Sequence, residues 1–108
     1  MNPDCIRVST TLPTREAAEQ LGAALVAGRL AACAQVHGPI SSTYRWEGKV
    51  TTASEWYCHL KTTRARLAAL EAEIRRRHPY QVPELIALPI VAGGADYLRW
   101  IGQAVTAE

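Results

Sequence analysis

The fold is decided by residues 32–61, which read "ACAQVHGPISSTYRWEGKVTTASEWYCHLK". Residues that favour β-structure dominate on both sides of Glu47-Gly48, a pair typical of a tight turn. Gly38-Pro39 cannot lie in a regular central ladder, so this pair predicts a bulge or bend in the first arm. The pattern therefore predicts a long antiparallel hairpin with arms over residues 32–46 and 50–61, each longer than the roughly 5 to 6 residues of a typical strand.

Shorter elements flank the hairpin on both sides, and residues that cap or break secondary structure delimit them. The predicted elements are a strand over residues 5–11, a helix over 14–28 with Thr14 as its N-cap, a helix from its cap Thr63 to Pro79, a strand over 84–90 and a helix over 96–105. The resulting order is βαββαβ followed by a short C-terminal helix. Two amphipathic helices and four strands in a chain of this size indicate an α+β, ferredoxin-like sandwich.

The predicted last strand is apolar on both of its faces. Along it, one face carries Leu85, Ala87 and Pro89 and the other carries Ile86, Leu88 and Ile90. A strand of this kind needs cover on both faces, and one chain of this length has helices for only one. A second subunit is the simplest cover, so the sequence predicts self-association.

Length and composition indicate one globular domain over residues 1–108. The net charge of +2 is too small to indicate electrostatic binding of nucleic acid. The sequence contains no phenylalanine, so the sheet offers no aromatic platform on which RNA bases could stack. Neither a secretory signal nor a membrane span is visible, which predicts a cytoplasmic protein with no membrane partner. The three cysteines are widely spaced, which favours small buried side chains over disulfides or a structural zinc site.

The usual parts of a catalytic site are missing from the sequence. Acylphosphatases share the βαββαβ order, but their chemistry needs an asparagine that positions water, and the one asparagine here is Asn2. The sequence contains no Gly-x-Ser-x-Gly, no phosphate-binding P-loop and no dinucleotide fingerprint. We therefore expect a protein that is not an enzyme.

Five blocks of sequence together resemble the CutA divalent-cation tolerance proteins. They are "RLAACAQV" (29–36), "YRWEGKV" (44–50), "LKTT" (60–63), "HPYQVPELIALPI" (78–90) and "DYLRWI" (96–101). The resemblance covers almost the whole chain. It implies a ferredoxin-like homotrimer with an architecture similar to the PII signalling proteins, and a role in the response to copper and other divalent cations.

The resemblance also implies a metal site, for which this sequence carries only part of the ligand set. The family's histidine and glutamate correspond to His78 and Glu84. Its first-strand cysteine corresponds to Thr10, and Arg77 stands where some relatives have a second histidine. Cuprous copper prefers thiolate or thioether donors, so His78 and Glu84 alone form a weak pair for copper or another divalent cation.

Aromatic residues around Glu84 suggest a second kind of site. A carboxylate that opens an apolar strand is costly to bury without a cation, and Lys61 is the candidate partner in the chain. With Glu84 and Lys61, we predict that an inter-subunit cleft is lined by Tyr44, Trp46, Tyr80 and Trp100. Such a cleft suits a small ligand. The alternatives are that these residues anchor the subunit interface, or that the protein is a scaffold that binds a partner protein there.

Overall fold

The structure, a computed structural model, describes residues 4–106 and contains four strands and three α-helices in this range. The elements are β1 (Cys5–Leu12), α1 (Arg15–Ala27), β2 (Cys33–Trp46), β3 (Lys49–Thr63), a 3-10 turn (Arg64–Arg66), α2 (Leu67–Arg77), β4 (Ile86–Pro89) and α3 (Ala95–Ala104). This order confirms the predicted βαββαβ arrangement with a C-terminal helix.

The four strands form one antiparallel sheet in the order β2-β3-β1-β4. Strand β1 lies between β3 and β4, and its Arg7 pairs with Lys61 on one side and Leu88 on the other. Strands β1 and β3 are neighbours in the sheet but are separated along the chain by α1 and β2. The chain therefore passes through α1 and β2 before β3 pairs with β1. This is the ferredoxin-like topology that the element order indicates.

The hairpin is long, as the sequence predicts, with 14 residues in β2 and 15 in β3, although β3 begins one residue before and ends two residues after the predicted arm. Its turn has positive φ at both central residues, 49° at Glu47 and 79° at Gly48, which matches the right-handed twist of the arms. The register shifts between His37 and Ile40, where the bulge at Gly38-Pro39 is predicted. A Cβ atom at Gly38 would lie 2.8 Å from the Trp56 ring, so the bulge requires glycine there.

Helices α1 and α2 cover one face of the sheet and enclose the main core. Apolar side chains alternate along the strands and recur at helical spacing, which places them on this buried face. The Thr14 hydroxyl accepts a 3.0 Å hydrogen bond from the Ala17 N–H, which confirms the predicted N-cap. The buried side chains include Ile6, Val8, Leu12, Leu21, Leu25, Cys58, Leu60, Leu70 and Ile74.

Helix α3 covers only one end of the opposite face. There Cys5 and Ala32 pack against Leu98 and Ile101 of α3 and against Val105, which follows the helix. The remainder of this face, which we call the open face, includes Ile86 and Leu88 of β4, and these side chains are 50% and 47% exposed. Among residues 4–106, no helix combines the length and apolar character needed to cross a bilayer.

Several boundaries differ from the sequence prediction, most clearly at the start of β4 and at the start of α2. Strand β4 is shorter than residues 84–90, because it pairs with β1 only from Ile86 to Pro89. Thr63 makes no side-chain cap bond; the 3-10 turn follows it, and α2 begins only at Leu67. Helix α2 ends at Arg77, as the proline at position 79 predicts.

Candidate functional site

A cavity of about 710 Å³ lies between the outer part of the hairpin and the connection from α2 to β4. The hairpin contributes residues 42–44, Trp46 and Glu55, and the connection contributes residues 79–84. Thr11, near the end of β1, completes the lining. The rigid turn "HPYQVPE" therefore forms one wall of a site as well as joining a helix to a strand.

Glu55 is the most buried charged group in this cavity, with 7% of its surface exposed. It lies two residues before Tyr57 on β3, and its Oε2 atom accepts a 2.8 Å hydrogen bond from the Tyr80 hydroxyl. Burial, followed by this hydrogen bond and the charge of Glu55, raises the pKa of Tyr80. The phenol therefore stays protonated near neutral pH and remains a hydrogen-bond donor.

Glu84 is a second carboxylate in the lining. Burial raises its pKa, and the negative charge of Glu55 raises it further. Among the ion pairs of residues 4–106, none involves Glu55 or Glu84. In the part of the chain that the structure describes, the cavity thus combines two carboxylates with no lining lysine, arginine or histidine.

Both ring nitrogens of His78 make hydrogen bonds inside the protein. Nδ1 accepts from the Tyr80 N–H at 3.1 Å, so the proton of the neutral ring is on Nε2, which donates to the Thr11 carbonyl at 2.8 Å. Burial lowers the pKa of His78 and favours this neutral form. The side chain thus ties the α2 terminus to β1. The His78 side chain does not line the cavity.

The structure brings together only part of the predicted cleft. Tyr44, Trp46, Tyr80 and Glu84 line the cavity. Lys61 does not; it donates to the Gln35 side chain across the hairpin, so it is not the partner of Glu84. Trp100 lies on α3 beside Tyr97, with ring centroids 5.5 Å apart. Within one chain, therefore, the lysine and this tryptophan are separate from the other predicted residues.

The ligands present do not complete a copper site of the predicted type. Thr10 is fully buried in the main core, and its hydroxyl has no hydrogen-bond partner within residues 4–106. Cys5 is buried against α3, and binding of a metal by His78 requires loss of one of its two hydrogen bonds. Within residues 4–106, no group of three or more histidine, cysteine, aspartate or glutamate side chains is arranged to hold a metal ion.

Three rings stack on the open face of the hairpin. His37 and His59 have ring centroids 4.9 Å apart, and Tyr57 lies 4.9 Å from His59. The Ser9 hydroxyl is 2.8 Å from Nδ1 of His59. Burial, and then the charges of Arg7, His37 and Lys61, lower the pKa of His59. Cation binding at this stack is therefore opposed by neighbouring positive charge.

Comparison with known proteins gives the family of this chain. The family model described as CutA1 divalent ion tolerance protein matches residues 6–104. The chain belongs to the CutA1 family. The divalent-cation tolerance protein CutA of Thermus thermophilus is 40% identical to it, with 87% of this chain and 91% of that protein covered.

Two further relatives support the CutA1 assignment, one by its sequence and one by its solved structure. "Protein CutA 1, chloroplastic" of Oryza sativa is 42% identical over 89% of this chain. The chain spans about half the length of that plant relative, 54%. The crystal structure of CutA1 from Oryza sativa has a TM-score of 0.94 and 37% identity, with 99% of this chain and 98% of that chain covered. The α+β fold described above is therefore that of the solved CutA1 structures.

Glu55 is a buried residue of the cavity that the sequence did not predict. One signal was available: it is the only carboxylate between Lys49 and Thr63, on a strand otherwise rich in β-favouring residues. An acidic side chain at such a position requires a donor or a cation once it is buried. Its proximity to Glu84 could not be read from the sequence, because the two residues are 29 positions apart.

Proposed function

We propose that this CutA1 protein acts in the response or tolerance to divalent metal ions, copper among them, and that it binds its effector cation in the cavity at Glu55 and Glu84. It does so as a homotrimer with a PII-like signalling architecture, and it catalyses no reaction. The family supports the link to divalent ions, and the charge of the cavity supports the location of the site.

One observation carries this proposal: Glu55 is almost fully buried, and its donor is a neutral phenol and not a cation. A buried carboxylate costs free energy unless a cation or several donors compensate its charge. Glu84 is a second carboxylate in the same cavity, and burial, followed by the charge of Glu55, raises its pKa. A bound cation would remove both costs.

The oxygen donors of the cavity suit hard or borderline divalent cations. Carboxylate, phenol and hydroxyl oxygens bind such ions, whereas cuprous copper prefers sulfur. Glu55 and Glu84 would hold the ion, and Cu(II) is compatible with them. His78 would contribute only after release of Thr11 or Tyr80, so we assign it the role of fixing the cavity wall.

The exposed apolar surface supports the homotrimer. Ile86 and Leu88 of β4, together with Tyr97 and Trp100 of α3, are 42–50% exposed. Val50, beside the hairpin turn, is 64% exposed. Apolar patches of this kind mark subunit contacts in soluble proteins. Sedimentation equilibrium should give about three times the mass of the chain, and a monomer at micromolar concentration would contradict this part of the proposal.

We further propose that the protein is cytoplasmic, which its free cysteines support. The names of two relatives give different cellular locations. The Oryza sativa protein is named chloroplastic, and the Archaeoglobus fulgidus protein is named periplasmic. Cell fractionation with an antibody against the chain tests this location directly.

A scaffold that binds a partner protein is the second candidate. Tyr44 and Trp46 support it, because both side chains remain 42% exposed at the end of the hairpin. Loss of partner binding in Trp46→Ala, with cation binding unchanged, would favour this function over the first.

Calorimetric titration with MgCl₂, MnCl₂, ZnCl₂ and CuCl₂ tests the cation site. We expect at least one ion to bind to the wild type, and Glu55→Gln and Glu84→Gln each to weaken it by about tenfold or more, the loss of roughly 1.4 kcal/mol of charge interaction. The matched control is Glu19→Gln, which removes an equal charge from an exposed ion pair with Arg15 on α1. Equal affinity in all four proteins would exclude this site.

A further inference from the structure

The volume and the lining residues of the cavity restrict the class of ligand further than the charge of the cavity does. We propose that the cavity binds an organic ammonium ion, a monocation with a small apolar body, between the Glu55 and Glu84 carboxylates and the aromatic wall of Tyr44, Trp46 and Tyr80. This inference rests on the proposal that the cavity is a cation site, and it adds an organic cation that would compete with the divalent ion there.

Charge excludes the anionic effectors of many signalling proteins. Among residues 4–106, the lining contains two carboxylates and no cationic side chain. Nucleotides, phosphates and carboxylic acids would meet like charge in a partly desolvated site, which disfavours their binding. Glu55 and Glu84 line the same cavity, so a ligand that brings positive charge is the one that relieves the repulsion between the two carboxylates.

Size separates an organic cation from a bare metal ion. The volume of about 710 Å³ lies within the roughly 300–1,000 Å³ range of pockets that hold small organic ligands. A metal ion held by two carboxylates would leave most of this volume to water. Pro79, Val82 and Pro83 line the same space and offer apolar contacts that a hydrated ion cannot use.

The aromatic wall matches an ammonium group. The faces of tyrosine and tryptophan rings attract cations, most strongly when water is excluded. Tyr80 is held in place by its hydrogen bond to Glu55, while Tyr44 and Trp46 reach the cavity from the hairpin. The carboxylates and the aromatic rings therefore line the same cavity. One ligand can form an ion pair with the carboxylates and stack on the rings.

Calorimetry and ligand-observed NMR with three probes of matched size test the inference. The probes are n-butylammonium, n-butanol and butyrate at constant ionic strength, with tetramethylammonium as a quaternary probe. We expect n-butylammonium to bind at least tenfold more tightly than n-butanol, and butyrate not to bind. Glu84→Gln and Trp46→Leu should each weaken ammonium binding by about fivefold or more, whereas Glu19→Gln should leave it unchanged.

The results separate this inference from the proposed function. Binding of a divalent ion without binding of either ammonium probe overturns the inference and leaves the proposed function intact. Ammonium binding without any divalent-ion binding supports the inference and contradicts the metal site. Equal binding of n-butanol and n-butylammonium, or ammonium binding that survives Glu84→Gln and Trp46→Leu together, also overturns it. Circular dichroism of each variant verifies that the fold is retained.

Discussion

Two threonines in the core of the sheet allow a matched test of what a buried hydroxyl costs. Thr10 on β1 and Thr62 on β3 are both fully buried, 0% exposed. The Thr62 hydroxyl donates a 2.8 Å hydrogen bond to the Leu30 carbonyl. The Thr10 hydroxyl has no partner among residues 4–106 and lies on the core face of β1, opposite Cys58. The same substitution by valine should therefore change stability in opposite directions.

The magnitudes follow from the two environments. Thr10→Val keeps the side-chain shape and removes an unsatisfied hydroxyl, which costs about 1–3 kcal/mol when buried, so the free energy of unfolding should rise by about 1–2 kcal/mol. Thr62→Val removes a hydrogen bond worth about 1 kcal/mol and leaves the Leu30 carbonyl unpaired, so stability should fall by about 1 kcal/mol after the gain from an added methyl group.

Urea denaturation followed by tryptophan fluorescence measures both changes. All proteins should be compared at one protein concentration, because self-association would add a concentration-dependent term to the stability. We expect the transition midpoint to move up for Thr10→Val and down for Thr62→Val, with a difference of about 2–3 kcal/mol between the variants. A Thr10→Val protein destabilised as much as Thr62→Val would refute the reasoning, since it would mean that the Thr10 hydroxyl has a partner in solution.

Three other predictions concern Tyr80, His78 and the hairpin bulge at Gly38. Tyr80→Phe removes the hydroxyl donor of buried Glu55 and should lower the free energy of unfolding by about 1–3 kcal/mol in urea denaturation; an unchanged midpoint would contradict this. Because burial lowers the pKa of His78, the unfolded chain binds the proton more readily, so stability should be full above pH 6.5 and fall below it. The pH dependence of the urea midpoint measures this, and His78→Gln should be flatter between pH 7.5 and 5. Gly38→Ala places a Cβ atom 2.8 Å from the Trp56 ring, so it should lower the free energy of unfolding by about 1–3 kcal/mol. The loss should appear as a lower thermal unfolding midpoint. A midpoint equal to that of the wild type would show that the bulge tolerates the methyl group.

Much of the fold follows from local signals in the sequence. The Glu47-Gly48 turn adopts the positive φ angles that its residues favour, and Gly38-Pro39 lies at the register shift. Thr14 caps α1 and the proline at position 79 follows the end of α2, as their chemistry predicts. Each of these features depends on one or two residues and the backbone angles that they permit.

The errors at element boundaries have a different origin. Residues 84 and 85 favour a strand, yet β4 begins only at Ile86, because pairing with β1 is set by the position of β1 in the sheet. Thr63 is a suitable N-cap residue, but Arg64–Arg66 form a 3-10 turn before α2 begins. Propensity predicts which element forms, while contacts with other elements decide where it starts.

For the candidate site, the sequence identified residues of suitable chemical type. It could not show which of them lie close together in the folded chain. It determined the hairpin, the order of elements, the family and the aromatic and acidic residues near Glu84, because these depend on local pattern and on motif spacing. Only the tertiary structure decided that Glu55 faces Tyr80 and that Lys61 pairs with Gln35. It also decided that His78 uses both ring nitrogens within the chain. Such pairings depend on sheet register and on the path of the chain after α2, and a shift of one residue in a strand moves a side chain to the opposite face.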